Sequence, residues 1–338
     1  MPGKKTTVLK NLLWVFFFAS ICLAALSLPG CGIKKAEAQS IPSSTANTPA
    51  PGGDKPAVYM TGNISPAGLM AVYDALGLSA SGKVAVKIST GEPGNKHYLA
   101  PDLIKELVQR VNGTIVECNT AYGGRRASAA AHYQVAKDHG FTAIAPVVIL
   151  DEKADISIPV FGGTHLKEDI VGERFKEFDF HIVLSHFKGH QMGGFGGALK
   201  NMSIGYASSA GKAWIHTAGK SKTSMRGGDQ NSFLESMAEA AKAVADANRE
   251  KILYINVMNH LSVDCDCNGR PAAPTMADIG ILASLDPVAL DQACVDLVYA
   301  AKDGKDIVAR IESRNGLLTI EHAEKIGLGS KVYNLIKL

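Results

Sequence analysis

The sequence predicts an α/β fold, a mostly parallel sheet with helices on both faces and a ligand site at the carboxyl ends of the strands. Three observations carry the expectation. Short runs rich in Val and Ile recur along the chain, as in strands covered on both faces. Amphipathic segments fall between them, the alternation that builds a parallel sheet. The most polar, glycine-bearing stretches directly follow strand-like runs, where ligands of open parallel sheets bind.

The strands expected are KVAVKIS, GTIVECN, FTAIAPVVIL, FHIVLS, KILYINVMN and DIGILAS. APDLIKELVQRV reads as a helix because Leu103, Ile104, Leu107, Val108 and Val111 share one face and Pro101 stands near its start. SFLESMAEAAKAVADAN carries a Ser232 to Glu235 capping box, so its helix is expected to begin there. A further helix is expected to start at Asp286-Pro287 and run through VALDQACVDLVYAAK. No internal repeat is visible.

The ends of this pattern divide the chain into residues 1–30, 31–57 and 58–338. Lys4, Lys5 and Lys10 precede the apolar run LLWVFFFASICLAALSL and then Pro29, Gly30 and Cys31, the order of an export signal. The alternative is a membrane anchor, for which the run is short. LPGC resembles a lipobox, so a lipid is expected on Cys31; AEA offers an alternative cleavage after Ala38. Residues 31–57 are rich in Ser, Thr, Ala and Pro without apolar period, as in a flexible tether. The protein is therefore expected at the bacterial cell envelope, meeting the membrane only through the lipid. Residues 58–338 are expected to form one α/β domain. With 35 Lys plus Arg against 32 Asp plus Glu, the balance implies no nucleic-acid partner.

Four polar stretches share the expected site. SHFKGHQMGGFGGALKN brings His186, Lys188, His190 and Lys200 as the catalytic candidates, the lysines as anion clamps and a histidine as proton carrier. Gly193, Gly194, Gly196 and Gly197 offer backbone amides to an anion, with Asn201 beside them. The other reading is a tight connection with solvated lysines. NTAYGGRR adds Asn119, Tyr122, Arg125 and Arg126, where one of the two adjacent arginines is expected to face solvent. STGEPGNKH adds Glu92 and Asn95 in support. NHLSVDCDCNG packs Cys265 and Cys267 with Asp264 and Asp266. Cys265, Cys267, Asp264 and Asp266 are the candidate metal residues, the cysteines as soft ligands of a single zinc or iron with the aspartates facing the other side, and the alternatives are a CxC disulfide and turn-capping carboxylates. Cys118 and Cys294 are expected to be packing residues. Asp278, Asp286 and Asp291 are expected at turns and helix starts, Asp291 being the candidate exception.

GEPGN, ECNTAYGGRR, DHGF, LSHFKGHQMGGFGGALKNMSIG, FLESMAEAAKAV, NVMNHLSVDCDCNG and DIGILASLDPVALDQACVDLVY, in this order, resemble the family catalogued as domain of unknown function 362, from about Lys83 to about Leu318. The resemblance implies a class of protein, not a reaction. Many members carry an inserted ferredoxin-type module with CxxCxxC ligands; here that place holds HTAGKSKTSMRGGDQNS, without cysteine. No [4Fe-4S] cluster is therefore expected. Two functions remain: a metal-dependent or redox enzyme acting on a small anionic molecule, or a tethered protein that binds such a molecule without turnover.

Overall fold

The computed structural model describes residues 55–338. The export signal, Cys31, Ala38 and nearly all of the expected tether lie outside the described residues. Twelve strands and nine helices follow one another in this span. The strands are β1 (Ala57–Thr61), β2 (Val84–Lys87), β3 (Thr114–Glu117), β4 (Val147–Ile149), β5 (Asp155–Pro159), β6 (Glu168–Gly172), β7 (Phe180–His186), β8 (Lys188–His190), β9 (Gly194–Gly196), β10 (Ile252–Met258), β11 (Gly280–Ser284) and β12 (Asn334–Lys337). The helices are α1 (Pro66–Ala75), α2 (Pro101–Arg110), α3 (Ala129–Asp138), α4 (Ala198–Ser203), α5 (Ser209–His216), α6 (Gln230–Asn248), α7 (Pro287–Ala300), α8 (Lys305–Ser313) and α9 (Leu318–Lys325).

Eight strands form one sheet in the order β12-β1-β11-β10-β7-β2-β3-β4. The five from β10 to β4 are mutually parallel, which makes the sheet mostly parallel as the sequence predicts. DIGILAS departs from that pattern, because β11 runs antiparallel to both β10 and β1. A parallel return needs a long crossover, usually a helix. Residues 259–279 contain none, and Met258 pairs directly with Gly280.

Alternate residues of the central strands feed two cores. Leu253, Ile255 and Val257 of β10 join Phe180, Ile182 and Leu184 of β7 under α1, α2 and α3. Tyr254, Met258 and Val183 face the other core, under α4, α6 and α7. In α2 the buried Leu103, Ile104, Leu107 and Val108 each contribute roughly 1.5–3 kcal/mol by leaving water, which is why that face faces the sheet.

Two local expectations are corrected. The α6 helix starts at Gln230, and its cap is Asp229, whose carboxylate accepts from the Ser232 amide at 2.9 Å and the Ser232 hydroxyl at 3.1 Å. Glu235 is drawn instead to His165, 2.5 Å away. FTAIAPVVIL is a strand only at β4; Phe141–Ala143 is a 3-10 turn entered from Gly140 at φ 86°. The helix expected at Asp286-Pro287 forms there, with Asp286 accepting from the amides of Val288 and Ala289.

Candidate functional site

Because β2, β3, β7 and β10 run in parallel, their carboxyl ends lie along one edge, and the four polar stretches meet there. The Glu92 amide donates to the Asp266 carbonyl at 2.8 Å, Asn95 Nδ2 to the Asn268 carbonyl at 3.1 Å, and Lys188 Nζ to the His97 carbonyl at 2.8 Å. Tyr122 Oη donates to Glu92 Oε1 at 3.0 Å.

Two buried charge groups hold this edge. In the first, Glu117 accepts from Lys87 at 2.9 Å and lies 3.3 Å from Arg126, while Arg126 Nε donates to Glu92 at 2.8 Å. Burial would raise the Glu117 carboxyl, but the charges of Lys87, His132 and Arg126 hold it down at about 2. In the second, Asp266 Oδ2 meets His186 Nδ1 at 2.9 Å, and Oδ1 accepts from Lys188 Nζ at 2.9 Å. Against the upward push of burial, His186 and Lys188 hold Asp266 at about 2. His186 is fixed on its other side by the Asn259 carbonyl, 2.8 Å from Nε2.

Cys265, Cys267 and His190 converge from the loop after β10 and from β8. Their sulfurs and one imidazole nitrogen lie within 4.8 Å of one another, a group able to hold a metal ion. The two cysteines are joined as a disulfide, one of the alternatives open from the sequence. Reduced, they offer two soft thiolates and one imidazole, a donor set that suits zinc or iron and leaves a fourth position free. The Gly193 amide donates to His190 Nδ1 at 2.8 Å, so the proton of the neutral ring sits on Nε2. A metal bound through either nitrogen would displace that hydrogen bond. Burial, with the nearby charge of Lys200, pushes His190 well below the ordinary imidazole range, so it does not titrate near neutral pH as a proton carrier should.

Several expected roles change. Asp264 and Asp266 stand outside the His190 group: Asp264 accepts from the Ala272 amide at 3.0 Å and faces Arg310 at 3.5 Å. Lys188 is 1% exposed and committed to Asp266, which removes it as an anion clamp. Arg125 is the solvent-facing arginine, beside Asp138, and Arg126 the buried one at 3% exposure. The glycines serve packing rather than an anion. Gly194 and Gly196 pair within the β8-β9 hairpin, and a side chain on Gly197 would meet Asp291 Oδ1 at 2.3 Å. Asp291 accepts from the amides of Ala198 and Leu199, which closes the start of α4, so it too serves a helix start, though of a helix other than its own. Asn201 is saturated by the Lys87 and Leu184 carbonyls, Ser185 and Lys87 Nζ. Cys118 and Cys294 are buried and free, as expected.

Lys200 alone among the expected catalytic residues keeps a side chain without a hydrogen-bond partner among the described residues. A cavity of about 780 Å³ opens next to the site, between Asn119, Tyr122, Asp151, Ser208, Ser209 and Lys222. His190, Lys200 and the cysteines do not line it. Asn119 Oδ1 is buried there without a partner. Sequence reasoning missed Lys87, Glu117 and Lys212. For the first two the signal available was a charge inside an otherwise apolar strand, as in KVAVKIS and TIVEC.

A family model described as Domain of unknown function (DUF362) matches residues 84–296. No curated protein matches the chain. Solved structures similar to the chain include these two. The lactate racemase apoprotein from Thermoanaerobacterium thermosaccharolyticum has 14% identity and a TM-score of 0.37, with 59% of this chain and 50% of that one covered. A protein from Thermotoga maritima has 12% identity and a TM-score of 0.40, with 77% and 58% covered. The chain thus spans about half the length of either, and at these scores neither bears on the chemistry of the site.

Proposed function

The chain belongs to the DUF362 family, matched over residues 84–296, and from that premise we propose that it is an exported, lipid-anchored protein whose His190, Cys265 and Cys267 hold a single zinc or iron ion for chemistry on a small anionic molecule. The observation that carries the reading is the convergence of these three ligands from β8 and the loop after β10. Such an ion would supply Lewis acidity at its open position. The protein's own residues then do the rest. Asp266, His186 and Lys188 fix the DCDC loop against β7 and β8, and the charges of Lys87, Arg126, Lys200 and Lys212 gather where an anion would be drawn. A cluster is disfavoured, since it asks for four thiolates and this group brings two. The order of basic, apolar and small residues ending at Cys31 supports the anchor.

The disulfide between Cys265 and Cys267 favours a second reading, a dithiol–disulfide pair in an oxidising compartment. Metal analysis of reduced, anaerobically purified protein separates the two. One zinc or iron per chain, lost in Cys265→Ser, supports the metal reading. Absence of metal together with reversible oxidation of the pair supports the redox reading. A bound small molecule that is never chemically changed would make the protein a tethered binder instead. Cys31→Ser should release the protein from membranes; unchanged fractionation and processing would sink the anchor.

A further inference from the structure

Lys200 is placed unlike any other lysine at this edge. Lys87 Nζ has three acceptors, Lys188 Nζ two, and Lys212 Nζ the Ala207 carbonyl. Lys200 Nζ has none among the described residues, although its side chain is half-buried. Its stem runs over Gly196, where an added Cβ would lie 3.0 Å from Cδ, so the glycine leaves the lysine its path. The charges acting on it come from Lys87 on β2, Arg126 in the loop before α3 and Lys212 on α5, opposed by Asp266. Both oxygens of Asp266 are already taken by His186 and Lys188. His190 and His216, which feel the charge of Lys200, are held neutral by burial and give it no counter-ion.

We propose that the Lys200 amine forms an imine with a small carbonyl-bearing carboxylate such as a 2-oxo acid. This narrows the proposed anionic substrate to a class, and rests on that reading only for the substrate's charge. Burial, followed by Lys87, Arg126 and Lys212, brings the Lys200 ammonium down to about 8, so that the side chain is still mostly charged at pH 7 while roughly a tenth of it is neutral amine able to attack a carbonyl. The same cations that favour the amine draw the carboxylate. In the step, the Nζ lone pair attacks the carbonyl carbon, a C–N bond forms, and the carbonyl oxygen leaves as water with the two amine hydrogens. No oxidant or reductant is needed, and hydrolysis reverses the step.

The test is reductive trapping of the full chain with pyruvate and cyanoborohydride at neutral pH, followed by peptide mass mapping. The expected result is one dominant adduct on the peptide carrying Lys200, favoured over solvated lysines by at least about tenfold, since those keep values near 10.4. Lys200→Arg should abolish it. Adducts spread over the surface lysines, or an adduct pattern unchanged in Lys200→Arg, would overturn the proposal; the wild-type map decides this even if the variant does not fold. Metal content is measured on the same samples. A missing adduct on protein that binds its metal defeats the imine and spares the metal reading, and a Lys200 adduct on protein that binds no metal does the reverse.

Discussion

Asp266 has both oxygens committed to buried side chains, His186 and Lys188, and it is the residue on which the site's arrangement depends most. Asp266→Asn leaves Lys188 charged, 1% exposed and unpaired, and should cost about 3–5 kcal/mol of stability, measurable by urea unfolding. Because its folded-state value is depressed to about 2, the carboxylate's contribution is complete above the usual value near 4 and is lost as pH falls towards 2. The variant should lack that acid-dependent loss. At His190, metal entry must break the Gly193 N–H contact, so hydrogen exchange at Gly193 should speed up when reduced protein takes up zinc; unchanged protection would place the ion elsewhere. Which residues populate the site was legible as composition. Their partners were not, since Lys188 and Asp266 are 78 residues apart and no local pattern records such a pairing. The choice between Arg125 and Arg126 was hidden for the same reason: only the fold decides which one reaches Glu92 and Glu117.

Among the elements, α6 and the glycine-rich hairpin differ most from their sequence signals. Ser232 and Glu235 make a plausible box, but Asp229 lies three residues upstream with a stronger acceptor, and His165 claims Glu235 from another part of the chain. Asp229→Ala should therefore lower the thermal unfolding midpoint more than Ser232→Ala does, as scans of the two variants would register. Glycine in this loop looks like an anion cradle because close backbone approach and ligand approach leave the same sequence mark. Here the approach is by the protein itself: a side chain at Gly189 would meet the Val263 backbone at 2.6 Å, beside the DCDC loop. Gly189→Ala should push that loop away and cost on the order of 1–3 kcal/mol. Gly123→Ala, with nothing within 4 Å, should stay within about 0.5 kcal/mol. Equal effects of the two substitutions would contradict this account of the hairpin.

Across the whole molecule, the α/β class was legible because strands covered on both faces are largely apolar, and β7 and β10 are buried almost end to end, with His181, Ser185 and Asn256 the polar interruptions. The direction of β11 was not, since strand direction follows from the connection and not from the strand's own residues. The same thorough burial sets an acid limit. Burial holds His132 and His181 at about 3 and His216 at about 4. An imidazole kept neutral in the fold contributes stability that is whole above its usual value near 6.5 and is lost as pH falls through the folded values. Stability should decline steadily from about pH 6.5 downwards, and His181→Phe should flatten the slope by up to one proton. The central claim, that His190 and the two cysteines form one metal centre, is tested most directly by X-ray absorption of reduced protein loaded with one zinc. The account predicts two sulfur scatterers and one imidazole in the first shell, with the sulfur signal lost in a Cys265→Ser, Cys267→Ser double variant. A first shell of nitrogen and oxygen alone, or a shell unchanged in that variant, would contradict it.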